Sequence, residues 1–493
     1  MTKRAVELND KARGTIKEVV ENAWQSEALA ELQNYVRIPC KSKDFDVDWD
    51  VNGFLRQACR KAAEWGQSLF PDAVFEVLTE PGRTPALFFD IPATRDDEAP
   101  AVFFYGHFDK QPEGEGWSNG RKPFEPTLES ERLYGRGAAD DGYNFYAAMV
   151  ALHALEKAGL PHGRIVGLYE TDEECGSRDF EYWMQTCRER FGNVGLVVIM
   201  DCGGADYEHL WSTVSFRGAA VLTLNVKVAE HGMHSGLTSG IAPSSFMIAR
   251  ALLDRIENAQ TGEMPADALN VEIPAVRLEQ MKRYAETVGE GVFADIPWAN
   301  GTHARSSDPF EAVVMNTWKP QLCVTGAEGI PPVDGAGNVL RSFTKLKLSV
   351  RLPPTADGAK ALAWLTETLT EKPMFGCRVT VENAHAEGGW NAPQEMPRFA
   401  RAVADAAQEC FGTEPVYCGC GGSIGILPLF DKFFGSPQYL LTGVLGPESN
   451  AHGPNEMLRL DYLKKLTRAV AQIVACVESC RQKSTETVPR SVV

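Results

Sequence analysis

The chain carries no excess of positive charge, no long apolar run and no patterned cysteine framework. Its 493 residues hold 49 Lys and Arg against 66 Asp and Glu, a formal net charge of -17. Such a surface gains nothing from phosphate backbones or anionic lipid, so nucleic acid and membrane are excluded as partners. The cleanest apolar runs are strand-sized, as in Leu196-Val-Val-Ile-Met200, where a bilayer span needs about 20 residues. Met1 to Asp10 have no apolar signal-peptide core. Twelve cysteines are dispersed, and the close pairs Cys418/Cys420 and Cys476/Cys480 lack the four-ligand spacing of a structural zinc site. They read as reduced thiols, which sets a cytoplasmic location as the expectation. There is no internal repeat or low-complexity tract. The length exceeds what one hydrophobic core supports, so two domains are expected.

What is present is acid, concentrated. Glu170-Thr-Asp-Glu-Glu-Cys-Gly-Ser177 places four carboxylates within five positions. It follows Arg164-Ile-Val-Gly-Leu-Tyr169, which reads as a buried strand. Like charges packed so closely raise each other's pKa and need an offset, from solvent screening or from a bound cation.

Other strand ends repeat the theme. Ala101-Val-Phe-Phe-Tyr105 is a continuous apolar strand ending at Gly106-His107-Phe108-Asp109, and Leu196 to Met200 stops on Asp201. The glycine-rich Leu133-Tyr-Gly-Arg-Gly-Ala-Ala-Asp-Asp-Gly142 precedes a helix expected from about Asn144 to Lys157. Further helices are expected over residues 15–35, 51–70, 180–190, 244–259, 359–370 and 460–480, with strands at 74–78, 86–91 and 438–442. Near-continuous strands alternating with helices predict an α/β fold, a mostly parallel sheet covered by helices on both faces. Ligands bind such sheets at the carboxyl ends of the strands, where His107, Glu173, Glu174 and Asp201 all fall.

Beyond Phe216 the pattern changes to period two. Leu346, Leu348, Val350 and Leu352 alternate with Lys345, Lys347, Ser349 and Arg351, and Ala220 to Val228 alternate similarly. The expected division is a catalytic domain over 1–214 and 386–493, interrupted by an inserted α+β domain over 215–385.

Catalytic dinuclear sites take neutral imidazole and carboxylate. The candidate ligands are His107, Asp140, Glu174, Asp201 and His452, enough for two divalent metals if one carboxylate bridges. Two such ions roughly 3.5–4 Å apart can share a hydroxide and polarise a carbonyl. Asp109 is placed to orient His107, and Glu173, beside a ligand, to act as general base. His231 and His234 lie in Glu230-His-Gly-Met-His-Ser-Gly236, either a plain loop or one presenting His234 to a substrate carbonyl.

Gly106-His-Phe-Asp109, Gly135-Arg-Gly-Ala-Ala-Asp-Asp141, Asp172-Glu-Glu-Cys-Gly-Ser177, Asp201, Met233-His-Ser-Gly236, Ser349-Val-Arg-Leu352 and Ala451-His452 follow one another in a specific order. In this the chain resembles the dinuclear-zinc metallopeptidases that include carnosinase, glutamate carboxypeptidase, aminoacylase and succinyl-diaminopimelate desuccinylase. Phe45-Asp-Val-Asp-Trp49 is similar to the carnosinase-type branch. The resemblance implies zinc, with manganese or cobalt as alternatives, and His107, Asp140, Glu174, Asp201 and His452 as ligands. It implies Asp140 as the bridge, followed by a cis peptide bond, and Glu173 as the base. It further implies an oxyanion-stabilising His234 that reaches the partner's site in a homodimer formed through the inserted domain. Arg351 and the loop of Gly421, Gly422 and Ser423 would hold the substrate's terminal carboxylate.

Two departures stand out. Gly142-Tyr143 replaces the family's Lys-Gly, and Gly419-Cys420 replaces its Arg-Glu. The leading expectation is hydrolysis of the amide bond of a dipeptide or similar small substrate with a free carboxylate. The rival within the same chemistry is an N-acyl-amino-acid deacylase. A thiol hydrolase using Cys175 or Cys202 leaves the carboxylates unexplained, and a relict site would have lost a ligand.

Overall fold

Strands that are apolar on both faces need cover on both, and their aromatic side chains supply it. The computed structural model describes residues 8–94, 99–294, 296–423 and 425–476. It divides into two units, the first Met1–Thr213, Ala392–Val416 and Leu429–Val493, the second Val214–Asn391 and Tyr417–Pro428. The return from the second unit thus falls at 391/392 rather than 385/386, and residues 417–428 group with the insertion.

In the first unit, β1 (Val74–Leu78), β2 (Ala86–Ile91), β3 (Ala101–His107), β4 (Ile165–Glu170) and β5 (Val194–Ile199) join a sixth strand, Gln438–Leu441. Their order is β1-β2-β4-β3-β5-(438–441). β4, β3, β5 and the sixth strand run parallel, whereas β2 is antiparallel to both β4 and β1. Successive strand residues point to opposite faces. Accordingly Phe88 meets Phe191 at 6.2 Å on one face, and Phe89 meets Phe145 at 6.2 Å on the other. The helix Tyr143–Lys157, buried almost all round, lies on the Phe89 face. Phe103 on the opposite face packs against Phe191, Phe430 and Phe434.

Several expected helices are broken. The helix read over 15–35 is two, Asp10–Gln25 and Glu27–Val36, separated at Ser26. That over 51–70 starts at Phe54, after a short turn, because Gly53 adopts φ 67°. The last helix spans Leu460–Ala475, and its expected extension through Cys480 lies outside the described residues.

The second unit holds an antiparallel sheet of β6 (Gly218–Lys227), β7 (Gln321–Glu328), β8 (Phe343–Leu352) and β9 (Arg378–Glu387), ordered β7-β8-β6-β9. Leu346, Leu348 and Val350 pair with Leu224, Leu222 and Ala220. All six are buried with Ile248, Leu252, Ala361 and Leu365 from the helices Ser245–Leu253 and Gly358–Thr370. The period-two alternation therefore marks the core face. Helices Ala275–Val288 and Pro309–Trp318 add a smaller cluster around Met281, Val313 and Trp318.

Gly142 has a packing reason. A Cβ there would sit 1.9 Å from Cε1 of Tyr35. That ring cannot yield, since it is buried, its hydroxyl donates to the Phe108 carbonyl at 3.0 Å, and the Lys110 ammonium lies 4.1 Å over it. Lys110, fully buried, donates in turn to the carbonyls of Tyr35, Val36 and Ile38 at 2.8–3.2 Å. Overpacking of this kind costs about 1–3 kcal/mol. Gly142→Ala should therefore lower the melting temperature. Gly14→Ala, exposed in the first helix with nothing within 4 Å, should raise it through helix propensity. Thermal denaturation of the two variants should show opposite signs.

Candidate metal centre

The four acids of the opening stretch meet four different fates. Glu170 closes β4 with its side chain buried and accepts from the Tyr105 hydroxyl at 2.7 Å. Burial pushes its carboxyl up to about 8. Asp172 turns to Lys43 at 3.0 Å and accepts from the Arg178 amide at 3.0 Å. Glu173 and Glu174 open a 3₁₀ turn, Glu173–Cys175, and face the site. Both backbone N–H groups donate to the Asp109 carboxylate, at 3.2 and 3.1 Å. Two of the four charges are thus offset by the protein itself, and two remain.

His107 is the last residue of β3 rather than the first beyond it, and is fully buried. Its Nδ1 lies 3.1 Å from the Asp109 main-chain oxygen and 3.4 Å from that residue's Oδ1. Asp201 follows β5 by two residues. Asp140 ends the glycine loop, and the Asp140–Asp141 peptide bond is cis. Asp141 turns away to accept from the His107 amide at 3.2 Å and from Asn144 Nδ2 at 2.8 Å. His452 sits on a turn with φ 63°, its side chain 57 % exposed.

The Asp140 carboxylate is shared. Its Oδ1 lies 3.4 Å from His107 Nε2, which is 3.6 Å from Asp201 Oδ2. Its Oδ2 lies 3.0 Å from His452 Nε2, which is 3.2 Å from Glu174 Oε2. Two groups of three potential ligands, His107–Asp140–Asp201 and Asp140–Glu174–His452, therefore meet at one side chain. Glu173 stands next to them, its Oε2 4.0 Å from His107 Nε2 and its side chain 26 % exposed.

This donor set fits a pair of divalent cations. Nε2 of His107 and Oε1 of Glu174 are buried with no hydrogen-bond partner, which a structure tolerates only for a reason. Burial pushes Asp201 up to about 6 and holds Glu173 well above the usual carboxylate range, opposed in both by His107. Hydrogen bonding to Asp140 and Glu174 lifts His452 to about 10. Burial disfavours a charged His107, but the carboxylates of Asp109, Asp140 and Asp201 raise it well above its ordinary value. The protein alone leaves this cluster holding protons that a cation would displace. Burial raises the Cys175 thiol, which opposes a nucleophilic role for it.

In the second unit, Arg351 on β8 donates through Nη1 to Ser423 Oγ at 3.4 Å, and the Gly422 amide lies 3.4 Å from Cys420 Sγ. His234 ends a two-residue strand paired with Val339–Leu340 and is exposed. His385 lies on β9 opposite Val221, outside both ligand groups. Two residues escaped the sequence reading. Gln111 donates through Nε2 to Glu174 Oε2 at 2.6 Å. Arg217, only 6 % exposed, donates from Nε to the Gly421 carbonyl at 2.9 Å, and burial plus the nearby Arg351 pull it down to about 10. A lone charge in the run Trp211–Val226 was the available signal for Arg217. Gln111, in a loop with no periodicity, offered none.

Residues 103–475 match the model of peptidase family M20/M25/M40. The chain is 23% identical over 399 residues to a cysteinylglycine-S-conjugate dipeptidase of Corynebacterium striatum, covering 76% of this chain and 81% of that protein. It is 27% identical over 378 residues to the Beta-Ala-His dipeptidase of Homo sapiens, covering 74% and 72%. Among solved structures, an M20 family metallo-carboxypeptidase of Sulfolobus solfataricus superposes with TM-score 0.71 at 19% identity, over 92% of this chain and 99% of that one. With its catalytic-type donor set and shared carboxylate, the chain belongs to peptidase family M20/M25/M40 and is a hydrolytic enzyme.

Proposed function

We propose that the chain is a dipeptidase that cleaves the amide bond of small substrates bearing a free carboxylate, using two divalent cations. The observation that carries this reading is Asp140, one carboxylate with an oxygen toward each of two ligand groups. His107, Asp140 and Asp201 would hold one cation, and Asp140, Glu174 and His452 the other. The mix of imidazole and carboxylate suits zinc, with manganese or cobalt as alternatives. When bound, such ions polarise a scissile carbonyl and bring the pKa of water toward neutrality. The dipeptide substrate class is supported by the names of the relatives.

Glu173 is the general base. Its carboxylate takes a proton from the attacking water and passes it to the leaving amine nitrogen. Asp109, by accepting from His107 Nδ1, fixes the tautomer that turns the Nε2 lone pair inward. Arg351, Gly422 and Ser423 hold the terminal carboxylate of the substrate, with the guanidinium as a planar fork. The first unit is the catalytic domain and the second a lid and dimerisation domain. In a homodimer, β7, an edge strand with exposed Cys323, Val324 and Thr325, pairs across the two-fold axis. His234 of one chain then stabilises the oxyanion in the site of its partner. No disulfide joins two cysteines among the described residues, which supports a cytoplasmic reading. Among those residues no helix is long and apolar enough to cross a membrane.

The function is tested by steady-state rates on unblocked dipeptides against acetyl- and succinyl-amino acids. Faster turnover of the dipeptides is expected, and the reverse order assigns the N-acyl-amino-acid deacylase instead. Glu173→Ala should lose about 10²–10⁴-fold in turnover with metal content intact, while Glu174→Ala should lose metal. The opposite result reverses the two roles. Zinc binding to the metal-free protein near neutral pH should release protons, because both histidines must become neutral. Affinity should climb with pH up to about 10, where His452 titrates, and fall further below about 6, where Asp201 also takes a proton. Calorimetry in buffers of different ionisation enthalpy measures this. For the dimer, mixing inactive His234→Ala and Glu173→Ala chains should restore activity through heterodimers with one intact site. Subunit exchange without recovery would mean His234 does not act on the partner.

A further inference from the structure

One buried carboxylate has no part in the mechanism yet touches both halves of the cluster. Glu456 is fully buried. Its Oε1 accepts from the amides of Ala139 and Asp140 at 2.9 and 3.1 Å. Its Oε2 accepts from the Gly137 amide at 2.9 Å and from Arg136 Nη1 at 2.8 Å. Arg136, 1 % exposed, also donates from Nη2 to the Gly453 carbonyl at 2.9 Å and from Nε to the Pro112 carbonyl at 3.0 Å. The pair thus grips the loop that ends in Asp140 and the turn that carries His452.

That turn needs a grip. Glu448, Asn450, His452 and Asn455 all adopt positive φ, between 50° and 66°, a region that residues other than glycine seldom occupy. Side chains of His107, Glu174, Asp140 and Asp201 are 0–14 % exposed, whereas His452 is 57 % exposed. Four of the five candidate ligands are fixed by packing, and the fifth hangs from a turn that packing does not fix. A buried Arg–carboxylate pair gains little net stability over apolar residues, so stability alone does not account for one here. What this pair supplies is register.

Resting on the two-cation reading, we infer that Glu456, braced by Arg136, is a positioning residue that sets the distance between Asp140 and His452 and so allows the Asp140–Glu174–His452 group to take its cation. Loss of it spares the His107–Asp140–Asp201 group, in which His107 and Asp201 are placed by the ends of β3 and β5 and the Asp140 side chain is held by burial.

The test is zinc titration of metal-free protein, read by calorimetry and by competition with a chromophoric chelator. Wild type should bind two ions. Glu456→Gln keeps the shape but turns an N–H toward backbone N–H groups, and should weaken one ion about 10–100-fold while leaving the other unchanged. Combined with His452→Ala, it should add nothing to that substitution's own effect, since both act on the same ion. Arg136→Lys, which keeps the charge but not the fork, should give the same selective loss in smaller degree. Equal weakening of both ions, wild-type affinity in both Glu456→Gln and Arg136→Lys, or failure of both variants to fold would overturn the inference. If Glu456→Gln alone does not fold, Arg136→Lys decides. Should His452→Ala itself keep two ions at full affinity, the two-cation reading fails first. If it loses one and the Glu456 and Arg136 variants lose none, only the positioning role fails.

Discussion

Repulsion among carboxylates governs the first unit. Asp109, Asp140, Asp141, Glu173, Glu174 and Asp201 converge where β3, β4 and β5 end, largely out of water. All but Glu173 are met by a hydrogen-bonding or charged partner. Asp109 accepts two backbone amides, Asp141 an amide and an asparagine, and Glu174 a glutamine. Asp140 and Asp201 lean on histidine. These partners orient the oxygens without neutralising all of them. Fixed geometry with residual charge is what distinguishes a ligand cluster from an ordinary acidic surface loop.

How much of this could be read beforehand depended on range. β3, β4 and β5 were legible because buried parallel strands are short apolar runs, and His107, Glu174 and Asp201 followed from where those runs end. The alternation in β6 and β8 was legible for the same local reason, and marked the core side of that sheet. Asp140 and His452 lie in loops. Only the glycines around the first and the motif around the second drew attention to them, and neither says that the Asp140 carboxylate lies 3.0 Å from His452 Nε2. The break at Ser26 and the start at Phe54 were missed because helical periodicity carries across a single non-helical residue. Gly142 showed as a departure in the sequence, but its cause is Tyr35, about a hundred positions away.

The second unit poses the inverse electrostatic problem. Within a strongly acidic chain, Arg217 and Arg351 both hold the 421–423 loop and have no carboxylate partner among the described residues. Cys420, standing where the family has glutamate, adds a thiol that burial keeps protonated. In the proposed function these two unneutralised guanidiniums are left for the carboxylate of the substrate. Restoring an acid at that position would supply an internal competitor for the same fork.

The contacts of Lys110 extend the site beyond the family match. The matched region begins at residue 103, yet the carbonyls that satisfy this ammonium belong to Tyr35, Val36 and Ile38. The Tyr35 ring also fills the space above Gly142, next to the ligand loop. A version trimmed to the matched segment would retain all five candidate ligands but lose three acceptors of this ammonium and the ring that packs on Gly142. The helix Glu27–Val36 is therefore part of the floor beneath the candidate ligands, and the smallest unit able to place them is larger than the smallest unit recognisable as its family.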